Sequence, residues 1–353
     1  MDLYFLGTGA GMPTTRRNVS SLVLRLQEER GTFWMFDCGE GTQHQVLRSP
    51  LKLGKCEFIF ITHLHGDHLF GLPGLLSSRA YQGGVDPLTV FGPAGLSEFM
   101  ETAFRVSDTH LPYALHTQEI EPGLIWSDDS FRVTALPLDH RVPSYGYRVQ
   151  ELARPGKLRI EVLEQMGIPP GPIYGKLKRG EDVTLPDGRR IAAAAVLGEP
   201  IPGKVVAILG DTRPCENAVR LAEGADVLVH EATFMEDKRG NAHEYGHSTA
   251  ADAAAIAMKA DAGKLVLNHF SSRYKEEETL AHLLAEARAI FPPLCSPTTC
   301  LPFRLRWNRT IAASEACARS ADCLAKPGRF GVLFSGKAHK LTKGAPSGAE
   351  RET

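Results

Sequence analysis

The sequence has little of what marks a membrane, secreted or strongly basic protein. No stretch approaches the roughly 20 consecutive apolar residues that a membrane-spanning helix needs. The N-terminus carries Asp2 where a secretion signal would carry positive charge, and no small-residue cleavage site follows. The net charge of −1 excludes a uniformly basic surface but leaves room for a local basic patch. These absences predict a cytoplasmic protein that does not associate with membranes.

The cysteines do not form the pattern of a disulfide framework. There are seven of them, an odd number, and none belongs to a Cys-x-x-Cys pair. Cys38, Cys56 and Cys215 lie in or beside apolar segments, so we expect them to be buried free thiols. The other four crowd near the end of the chain with a spacing that fits no standard zinc pattern: Cys295, Cys300, Cys317 and Cys323.

Apolar runs alternate with helical patterns, as in a mixed α/β protein. Segments rich in Val, Ile, Leu, Phe or Tyr that stop at Gly, Asp, His or Pro predict strands. The predicted strands are 2–6, 21–26, 33–37, 57–62, 88–92, 131–136, 145–149, 204–210, 226–230 and 264–269. The predicted helices are 41–47, 67–79, 95–104, 216–222, 249–259 and 276–290. Ser248 is the predicted N-cap of the helix at 249–259.

Two segments interrupt this alternation and divide the chain. Residues 151–198 carry many Pro, Gly, Lys and Arg residues without core-facing periodicity, which predicts an insertion that projects from the domain. Residues 293–353 lack regular patterning, which predicts a poorly ordered tail. We therefore expect a domain over 1–292 with the insertion inside it. The tail is either native or the product of a shifted reading frame.

The densest group of candidate metal ligands follows the apolar strand at 57–62. Residues 63–68 read His-Leu-His-Gly-Asp-His. Alternation along an extended chain places His63 and His65 on one side. Gly66 permits a turn, after which Asp67 and His68 can face a second metal ion. Imidazole and carboxylate are the ligands expected for catalytic Zn²⁺, whereas the alternative is a cluster of surface polar residues.

Further ligand candidates follow other predicted strands. His140 comes after the strand at 131–136, Asp211 after the strand at 204–210, and His269 ends the strand at 264–269. Taken singly, each is as well explained by an ordinary loop or turn residue. Together they complete a coordination count that residues 63–68 leave open.

This ordered set of ligands resembles that of the metallo-β-lactamase superfamily. The resemblance implies an α/β sandwich of two mixed sheets with outer helices and the metals at one edge. It implies two Zn²⁺ ions per chain, with Mn²⁺ as an alternative. One ion would lie on His63, His65, His140 and a bridging Asp211, and the other on Asp67, His68, Asp211 and His269. β-Lactamases, thioesterases, sulfatases and nucleases share such ligands, so the ligands alone do not name the substrate.

Four further segments resemble the ribonuclease Z family. One is a Gly-rich turn at 7–11 followed by Arg17 and Asn18, where backbone N–H groups and the guanidinium can bind phosphate. In the family, a Glu and a His that match Glu231 and His247 form a pair beside the metals, and the His protonates the leaving 3′ oxygen. Arg273, four residues after His269, is in the position of an arginine that meets the scissile phosphate. The alternatives without a catalytic role are a structural turn for the glycines, a helix N-terminal residue for His247 and a buried salt bridge for Glu231.

The insertion at 151–198 resembles the arm with which bacterial members of that family hold transfer RNA. Its candidate phosphate contacts are Lys176, Lys178 and Arg179, with Arg189 and Arg190 nearby. Such contacts do not depend on base sequence, which suits an enzyme that acts on many transfer RNAs. A solvated loop without a partner is the alternative.

The resemblance implies a zinc-dependent, homodimeric endoribonuclease that hydrolyses the 3′ trailer from precursor transfer RNA. It would leave 3′-OH on the transfer RNA and 5′-phosphate on the trailer. Asp67 would orient the attacking water and accept its proton, and His247, held by Glu231, would protonate the leaving oxygen. The rival interpretations are another hydrolase on the same scaffold and a metal-binding RNA-binding protein without turnover. Whether CCA-containing precursors are spared is left open.

Overall fold

Two seven-stranded β-sheets pack face to face in the computed structural model, which describes residues 1–295 and 304–306. The strands are β1 Asp2–Gly7, β2 Gly9–Ala10, β3 Ser21–Leu26, β4 Thr32–Phe36, β5 Cys56–Phe60, β6 Leu88–Gly92, β7 Leu115–Glu119, β8 Gly123–Ser127, β9 Phe131–Leu138, β10 Ser144–Glu151, β11 Val183–Thr184, β12 Arg190–Ile191, β13 Val205–Leu209, β14 Val227–Glu231, β15 Leu265–Asn268, β16 Phe270–Ser271, β17 Leu294–Cys295 and β18 Arg304–Arg306.

Eleven α-helices are present among the described residues, and several of them are shorter than the eight-residue strands. They are α1 Thr42–Leu47, α2 Gly66–Leu69, α3 Leu72–Tyr81, α4 Leu96–Val106, α5 Ile160–Gln165, α6 Pro172–Lys178, α7 Ala193–Val196, α8 Glu216–Ala222, α9 Arg239–Tyr245, α10 Ala250–Lys259 and α11 Glu277–Ile290. Short 3₁₀ turns occupy Leu53–Lys55, Glu236–Lys238 and Ser272–Tyr274. Among these helices, none combines the length and the apolar character needed to cross a membrane.

Both sheets are mixed. The first has the order β18-β1-β3-β4-β5-β6-β7, in which β3 is antiparallel to its neighbours and β4 to β7 run parallel. The second has the order β17-β15-β14-β13-β10-β9-β8, with β13, β14, β15 and β17 parallel and the remaining pairs antiparallel. The predicted sandwich of two mixed sheets is confirmed.

Strand alternation divides the core into layers. In β13, Val206 and Ile208 face the other sheet, where they pack among aromatic residues such as Trp34. Ala207 and Leu209 point the opposite way, toward α8, α10 and α11. On the outer face of the first sheet, a third cluster packs under α1, α3 and α4. This four-layer arrangement buries each face of both sheets, which explains why their central strands are apolar throughout.

The structure corrects some predicted helix ends. The predicted helix at 67–79 is two helices, because the chain turns at Gly71 against the loop after β4. A Cβ at Gly71 would lie 2.1 Å from the Gly39 carbonyl oxygen, so only glycine fits. The N-cap of α10 is Thr249 instead of Ser248, since the Thr249 hydroxyl accepts from the Asp252 backbone N–H in a capping box.

The insertion has a small hydrophobic core of its own, which the sequence analysis did not predict. Apolar side chains from α5, α6, α7 and the β11–β12 hairpin pack together: Leu163, Ile168, Leu177, Val183, Leu185, Ile191, Ala193 and Val196. Because the elements are so short, these residues produce no periodicity that the sequence could reveal. At the base of the insertion, Arg154 and Ile201 exchange two backbone hydrogen bonds of 2.9 and 2.8 Å.

Regular structure continues beyond residue 292. β17 pairs with β15, and β18 pairs with β1. The predicted absence of regular structure is therefore wrong for residues 294–295 and 304–306. Strands of two and three residues are too short to leave a pattern in the sequence. The other residues of the predicted tail from 296 onward lie outside the described residues, and the proposed domain boundary stays a prediction.

Candidate metal centre

The predicted ligands come from loops that follow strands of both sheets. His63 follows β5 in the first sheet. His140, Asp211 and His269 follow β9, β13 and β15 in the second sheet. Carboxyl ends of parallel strands open onto a common edge, which is where such sheets place functional groups. The ligands therefore meet at the seam between the two sheets.

The ligand side chains form overlapping groups in which the ligand atoms lie within 4.8 Å of one another. One group is His63, His65, His140 and Asp211, another is Asp67, His68 and His269, and a third is Asp211, His247 and His269. Asp211 lies between the first two, since its carboxylate oxygens are 3.6 Å from Nε2 of His63 and 3.6 Å from Nε2 of His68. The structure thus brings together every predicted metal ligand.

The ligand histidines are oriented by hydrogen bonds at their Nδ1 atoms. The partners are the Thr62 hydroxyl for His63 (3.0 Å), Asp37 Oδ2 for His68 (2.7 Å), the Gly246 carbonyl for His140 (2.6 Å) and the Thr233 hydroxyl for His269 (2.9 Å). Each bond leaves Nε2 to face the centre. Metal-binding histidines are held in this way in proteins, because the second bond fixes the tautomer and the ring plane.

The packing of the ring nitrogens fits a metal ion. Nε2 of His63 is 3.1 Å from Nδ1 of His65, and Nε2 of His68 is 3.2 Å from Nε2 of His269. Facing nitrogen lone pairs repel each other unless a proton or a cation lies between them. Four-coordinate N and O donors of this kind are what Zn²⁺ prefers. The residues present therefore fit the metal that the sequence predicts.

The charges of the centre lead to the same conclusion. Burial, followed by the neighbouring rings of His68 and His140, holds the pKa of His63 well below its ordinary value, so its ring is a neutral donor. Burial also disfavours charge on His68, but the Asp211 and Asp37 carboxylates outweigh it and raise the pKa of His68 to about 10. The buried carboxylates thus stabilise a positive charge among the ligands, and a metal ion can supply that charge in place of a proton.

Two of the four non-glycine residues with positive φ among the described residues belong to this centre. Asp37, which orients His68, has φ of 58°, and the ligand His269 has φ of 55°. Left-handed conformations cost non-glycine residues about 1–2 kcal/mol each. Neighbouring structure must hold both residues in place, and strain of this kind clusters at functional sites.

The predicted pair Glu231 and His247 is present beside the ligands. Nδ1 of His247 is 2.9 Å from Oε1 of Glu231, which also accepts from the Thr212 backbone N–H at 2.9 Å. Oε2 of Glu231 accepts from the Thr233 hydroxyl at 2.6 Å. Burial disfavours both charges, yet their mutual attraction lowers the pKa of Glu231 and raises that of His247. The ring of His247 lies 5.1 Å from that of His140 and 5.5 Å from that of His269, measured between ring centroids.

Comparison with known proteins identifies the family. A ribonuclease Z of Limosilactobacillus fermentum is 58% identical over 275 residues, which cover 78% of this chain and 89% of that protein. A ribonuclease Z of Bacillus licheniformis is 56% identical over 292 residues, covering 83% and 95%. This chain belongs to the ribonuclease Z family.

Solved structures agree with this family assignment. Human tRNase Z, short form, is 34% identical, with a TM-score of 0.59 and coverage of 78% of this chain and 95% of that one. The metallo-β-lactamase fold protein YhfI from Bacillus subtilis shares the fold at 17% identity and a TM-score of 0.59, covering 86% and 98%. A family model described as Anti-Pycsar protein Apyc1 matches residues 1–116 only. The predicted metallo-β-lactamase fold is thereby confirmed.

The Gly-rich turn of this ribonuclease Z family member is bonded within the protein, which favours the alternative of a structural glycine turn. The backbone N–H groups of Thr8 and Gly9 both donate to the Asn18 carbonyl, at 3.0 and 2.8 Å. The Gly11 N–H donates to Oδ2 of Asp67 at 2.7 Å. These N–H groups are therefore occupied within the protein and do not await a phosphate. The turn instead positions Asp67, whose carboxyl pKa is held well below its usual range despite burial, mainly by its contact with the His269 ring.

The predicted substrate contacts near the centre differ in exposure. Arg17 is half-buried, lies over the Phe270 ring at 5.1 Å and donates to the Thr8 hydroxyl at 2.8 Å. Asn18 donates from its side-chain amide to the Glu40 carbonyl at 2.9 Å. Arg273 is exposed and lies over the Phe234 ring at 5.5 Å. Arg273 is thus accessible to a ligand, whereas Arg17 and Asn18 also shape the Gly-rich turn.

The basic residues of the insertion are not part of the metal centre. Lys176, Lys178 and Arg179 lie at the end of α6, and Arg179 pairs with Glu181 at 2.7 Å. Arg189 and Arg190 pair with Asp187 at 2.7 Å and with Asp182 at 2.9 Å. Exposed pairs of this kind contribute only about 0–1 kcal/mol, so a phosphate can compete for the arginines.

Sequence reasoning missed the groups that orient the ligands. Asp37, Thr62 and Thr233 hold the rings of His68, His63 and His269. The position of Asp37 in the sequence could have marked it as a functional candidate, because it directly follows the apolar strand β4. Asp211 was found in the same way, two residues after the end of β13. The two threonines have no distinguishing pattern, since strands contain threonine for many reasons.

Proposed function

We propose that this chain is a two-zinc endoribonuclease that removes the 3′ trailer from precursor transfer RNA. The observation that carries the proposal is the Glu231–His247 pair beside the assembled ligand groups, in a chain 58% identical to a ribonuclease Z. A structural relative with 34% identity is named a tRNase Z. The products would be transfer RNA with a 3′-OH and a trailer with a 5′-phosphate.

The proposed zinc ligands divide into two sets that share Asp211. His63, His65 and His140 would hold one ion, and Asp67, His68 and His269 the other. When bound, such ions supply Lewis-acid chemistry at a phosphodiester and lower the pKa of water. Mn²⁺ could replace zinc with the same donors. Nine-tenths or more of His63, His68, Asp211 and His269 is buried, which limits competition from bulk water.

Asp67 would act on the attacking water. One of its oxygens, Oδ2, accepts from the Gly11 N–H at 2.7 Å and lies 3.3 Å from Nε2 of His269. These contacts fix the carboxylate plane without occupying Oδ1. A carboxylate held in this way can orient water and accept its proton.

His247 would act on the leaving group. Because its Nδ1 is bonded to Glu231, the proton available for transfer is the one on Nε2. The leaving group in this reaction is the ribose 3′ oxygen, which departs poorly as an alkoxide and needs a proton. Glu231 would keep the imidazole charged and correctly oriented, and its own charge is balanced by the hydrogen bonds from Thr212 and Thr233.

The insertion would bind the body of the transfer RNA away from the cut. Residues 151–198 contain eight basic and six acidic residues, and the cluster of apolar side chains gives them a defined scaffold. Lys176 and Lys178, near the end of α6, would contact backbone phosphates, with Arg179 exchanging Glu181 for phosphate. Contacts to phosphate release counterions and so make binding depend steeply on salt.

We also propose that the protein is a cytoplasmic homodimer, as the resemblance to bacterial family members implies. Light scattering of the purified chain tests the dimer directly. A mass near the 38.5 kDa of one chain at micromolar concentration would reject it.

Cleavage of a defined precursor tests the proposed function. Purified protein with zinc is incubated with a transfer RNA that carries a 3′ extension, and both new ends are mapped. The expected result is one cut near the discriminator nucleotide, with 3′-OH on the transfer RNA and 5′-phosphate on the trailer. Stepwise shortening of the trailer, or 2′,3′-cyclic phosphate ends, would contradict the proposed reaction. The Asp67→Ala protein, prepared identically, controls for contaminating nucleases.

A further inference from the structure

An exposed arginine that the predicted mechanism does not use lies at the rim of the metal centre. Arg141 directly follows the ligand His140. Its guanidinium lies over the ring of Tyr245, with 5.4 Å between the guanidinium carbon and the ring centroid. The Tyr245 side chain is 44% exposed, so the pair is open to solvent. Tyr245 in turn is two residues before His247.

Arg141 and Tyr245 are placed by contacts between the segments that carry His140 and His247. The Gly246 carbonyl and Nδ1 of His140 are 2.6 Å apart. Gly246 has φ of 85°, and a Cβ there would lie 2.8 Å from Nδ1 of His140 and 3.3 Å from the backbone nitrogen of Arg141. The Gly246 backbone therefore lies against His140 and Arg141, and glycine is required at the contact. The stacked pair is consequently fixed relative to both the metal ligands and His247.

Within the part of the chain that the structure describes, no carboxylate lies within ion-pair distance of Arg141. Asp139, two residues earlier, is taken by Arg213, whose NH1 is 2.6 Å from Oδ1 of Asp139. The guanidinium face of Arg141 is used by the tyrosine ring, which leaves the N–H groups on its edge available as donors. An arginine arranged in this way is suited to bidentate binding of a phosphate.

A second arginine–aromatic pair lies near His247. Arg273 lies over the ring of Phe234 at 5.5 Å, and that ring lies 6.2 Å from the ring of His247. Two exposed arginines, each over an aromatic ring, are therefore carried by segments that contact the metal centre. Arg273 matches the family's scissile-phosphate arginine, whereas the resemblance assigns nothing to Arg141 or Tyr245.

We propose that Arg141 and Tyr245 form a subsite for the nucleotide next to the scissile bond of a single-stranded RNA end. The edge of Arg141 binds the backbone phosphate adjacent to the one cleaved, and the exposed Tyr245 ring supports stacking of the base. Single-stranded nucleic acid is commonly bound by such combinations of a cation and an aromatic ring. This inference rests on the proposed function, because it requires a polynucleotide substrate.

Steady-state cleavage of a 3′-extended transfer RNA by substituted proteins tests the subsite. Arg141→Ala should raise KM about tenfold or more, the usual worth of a charge-assisted hydrogen bond, with a much smaller change in kcat. The slope of log(kcat/KM) against log[salt] should become shallower by about one. Arg141→Lys should recover part of the salt slope but not the full KM, because lysine cannot stack or bind phosphate in a bidentate manner. Tyr245→Ala should raise KM more than Tyr245→Phe does.

Two controls make the result specific. Arg105→Ala removes another exposed arginine, from α4, and should change neither KM nor the salt slope. Hydrolysis of bis(p-nitrophenyl) phosphate, which has no neighbouring nucleotide, should fall far less in Arg141→Ala than transfer RNA cleavage does. The zinc content of each protein is measured in parallel.

Each outcome decides the inference. An unchanged KM and salt slope in Arg141→Ala would overturn it while leaving the proposed function intact. Equal losses on both substrates, or loss of zinc, would show that Arg141 supports the metal centre instead. If the native protein hydrolyses the small diester but not the transfer RNA, the proposed function fails first and the subsite with it.

Discussion

Replacing His247 with alanine should separate leaving-group protonation from the rest of the reaction. Nδ1 of His247 bonds to the buried Glu231 at 2.9 Å, and in the proposed mechanism Nε2 is the atom that transfers a proton. A general acid is worth about 10²- to 10⁴-fold in rate, which corresponds to about 3–5 kcal/mol of barrier. We therefore expect transfer RNA cleavage by His247→Ala to slow by roughly that factor at neutral pH.

The choice of leaving group provides the assay. The 3′ oxygen of ribose needs a proton to depart, whereas p-nitrophenolate is a stable anion and hardly needs one. The loss on bis(p-nitrophenyl) phosphate should therefore be far smaller than the loss on a 3′-extended transfer RNA. Glu231→Gln, which keeps hydrogen-bonding atoms but removes the charge, should show the same contrast at smaller magnitude.

The loss of activity in His247→Ala can be interpreted only if the variant still folds and binds metal. Removing His247 deprives the Glu231 carboxylate of a charge-assisted hydrogen bond worth about 1.5–3 kcal/mol. The donors from Thr212 and Thr233 remain, so the carboxylate is not left without partners. The variant should melt lower but fold, and should keep its zinc. Equal losses on the two substrates, or a loss of stoichiometric zinc, would refute the assignment of His247 as the acid.

Three other perturbations test separate parts of the structure. Asp67→Ala should abolish cleavage without changing the circular dichroism spectrum of the folded protein. Near-normal turnover at full metal content would contradict the proposed mechanism. Replacing residues 155–200 by Asn-Gly, a two-residue hairpin turn, should weaken precursor binding and make it less dependent on salt concentration. The rate of hydrolysis of the small diester should fall far less. Equal losses of activity on both substrates would mean that the insertion supports the metal centre. Burial opposes ionisation of Glu57, but bonds from Arg30 and Trp34, at 3.0 Å each, lower its pKa. The stability from that carboxylate is present above its unfolded pKa of about 4.3 and is lost as pH falls through the lower folded value. Glu57→Gln should thus cost about 1 kcal/mol at pH 7 in urea unfolding and almost nothing in acid; a difference that grows toward low pH would contradict this.

The sequence predicted those parts of the centre that lie at strand ends. His63, Asp211 and His269 each follow an apolar strand. This pattern is visible in the sequence without knowledge of the strand order in the sheets. Glu231 and His247 came only from the family resemblance, because a strand-end Glu and a helix-preceding His have ordinary structural explanations. Local patterns therefore identify candidate ligands, whereas the role of each residue depends on its position in the folded protein.

What could not be predicted depends on contacts between distant residues. Gly11 and Asp67 are 56 residues apart, so the sequence could not show that the Gly-rich turn binds a carboxylate instead of a phosphate. The Arg141–Tyr245 pair is likewise formed only when two loops meet. Edge strands β7 and β8 were missed because they are half-exposed and lack a continuous apolar face.

The origin of the ligands from both sheets means that metal loading reports on the docking of two halves of the molecule. His63 to His68 come from the loop after β5, whereas His140, Asp211 and His269 belong to the opposite sheet. A metal ion held by the proposed ligands would therefore act as a cross-link, and metal at 100 times its Kd would add about 2.7 kcal/mol to the docked state. A chain whose sheets are not yet packed offers only half of each coordination sphere. In the proposed enzyme the metal site is complete only once the sheets have docked, so we expect activity to return no earlier than sheet docking when the unfolded protein refolds.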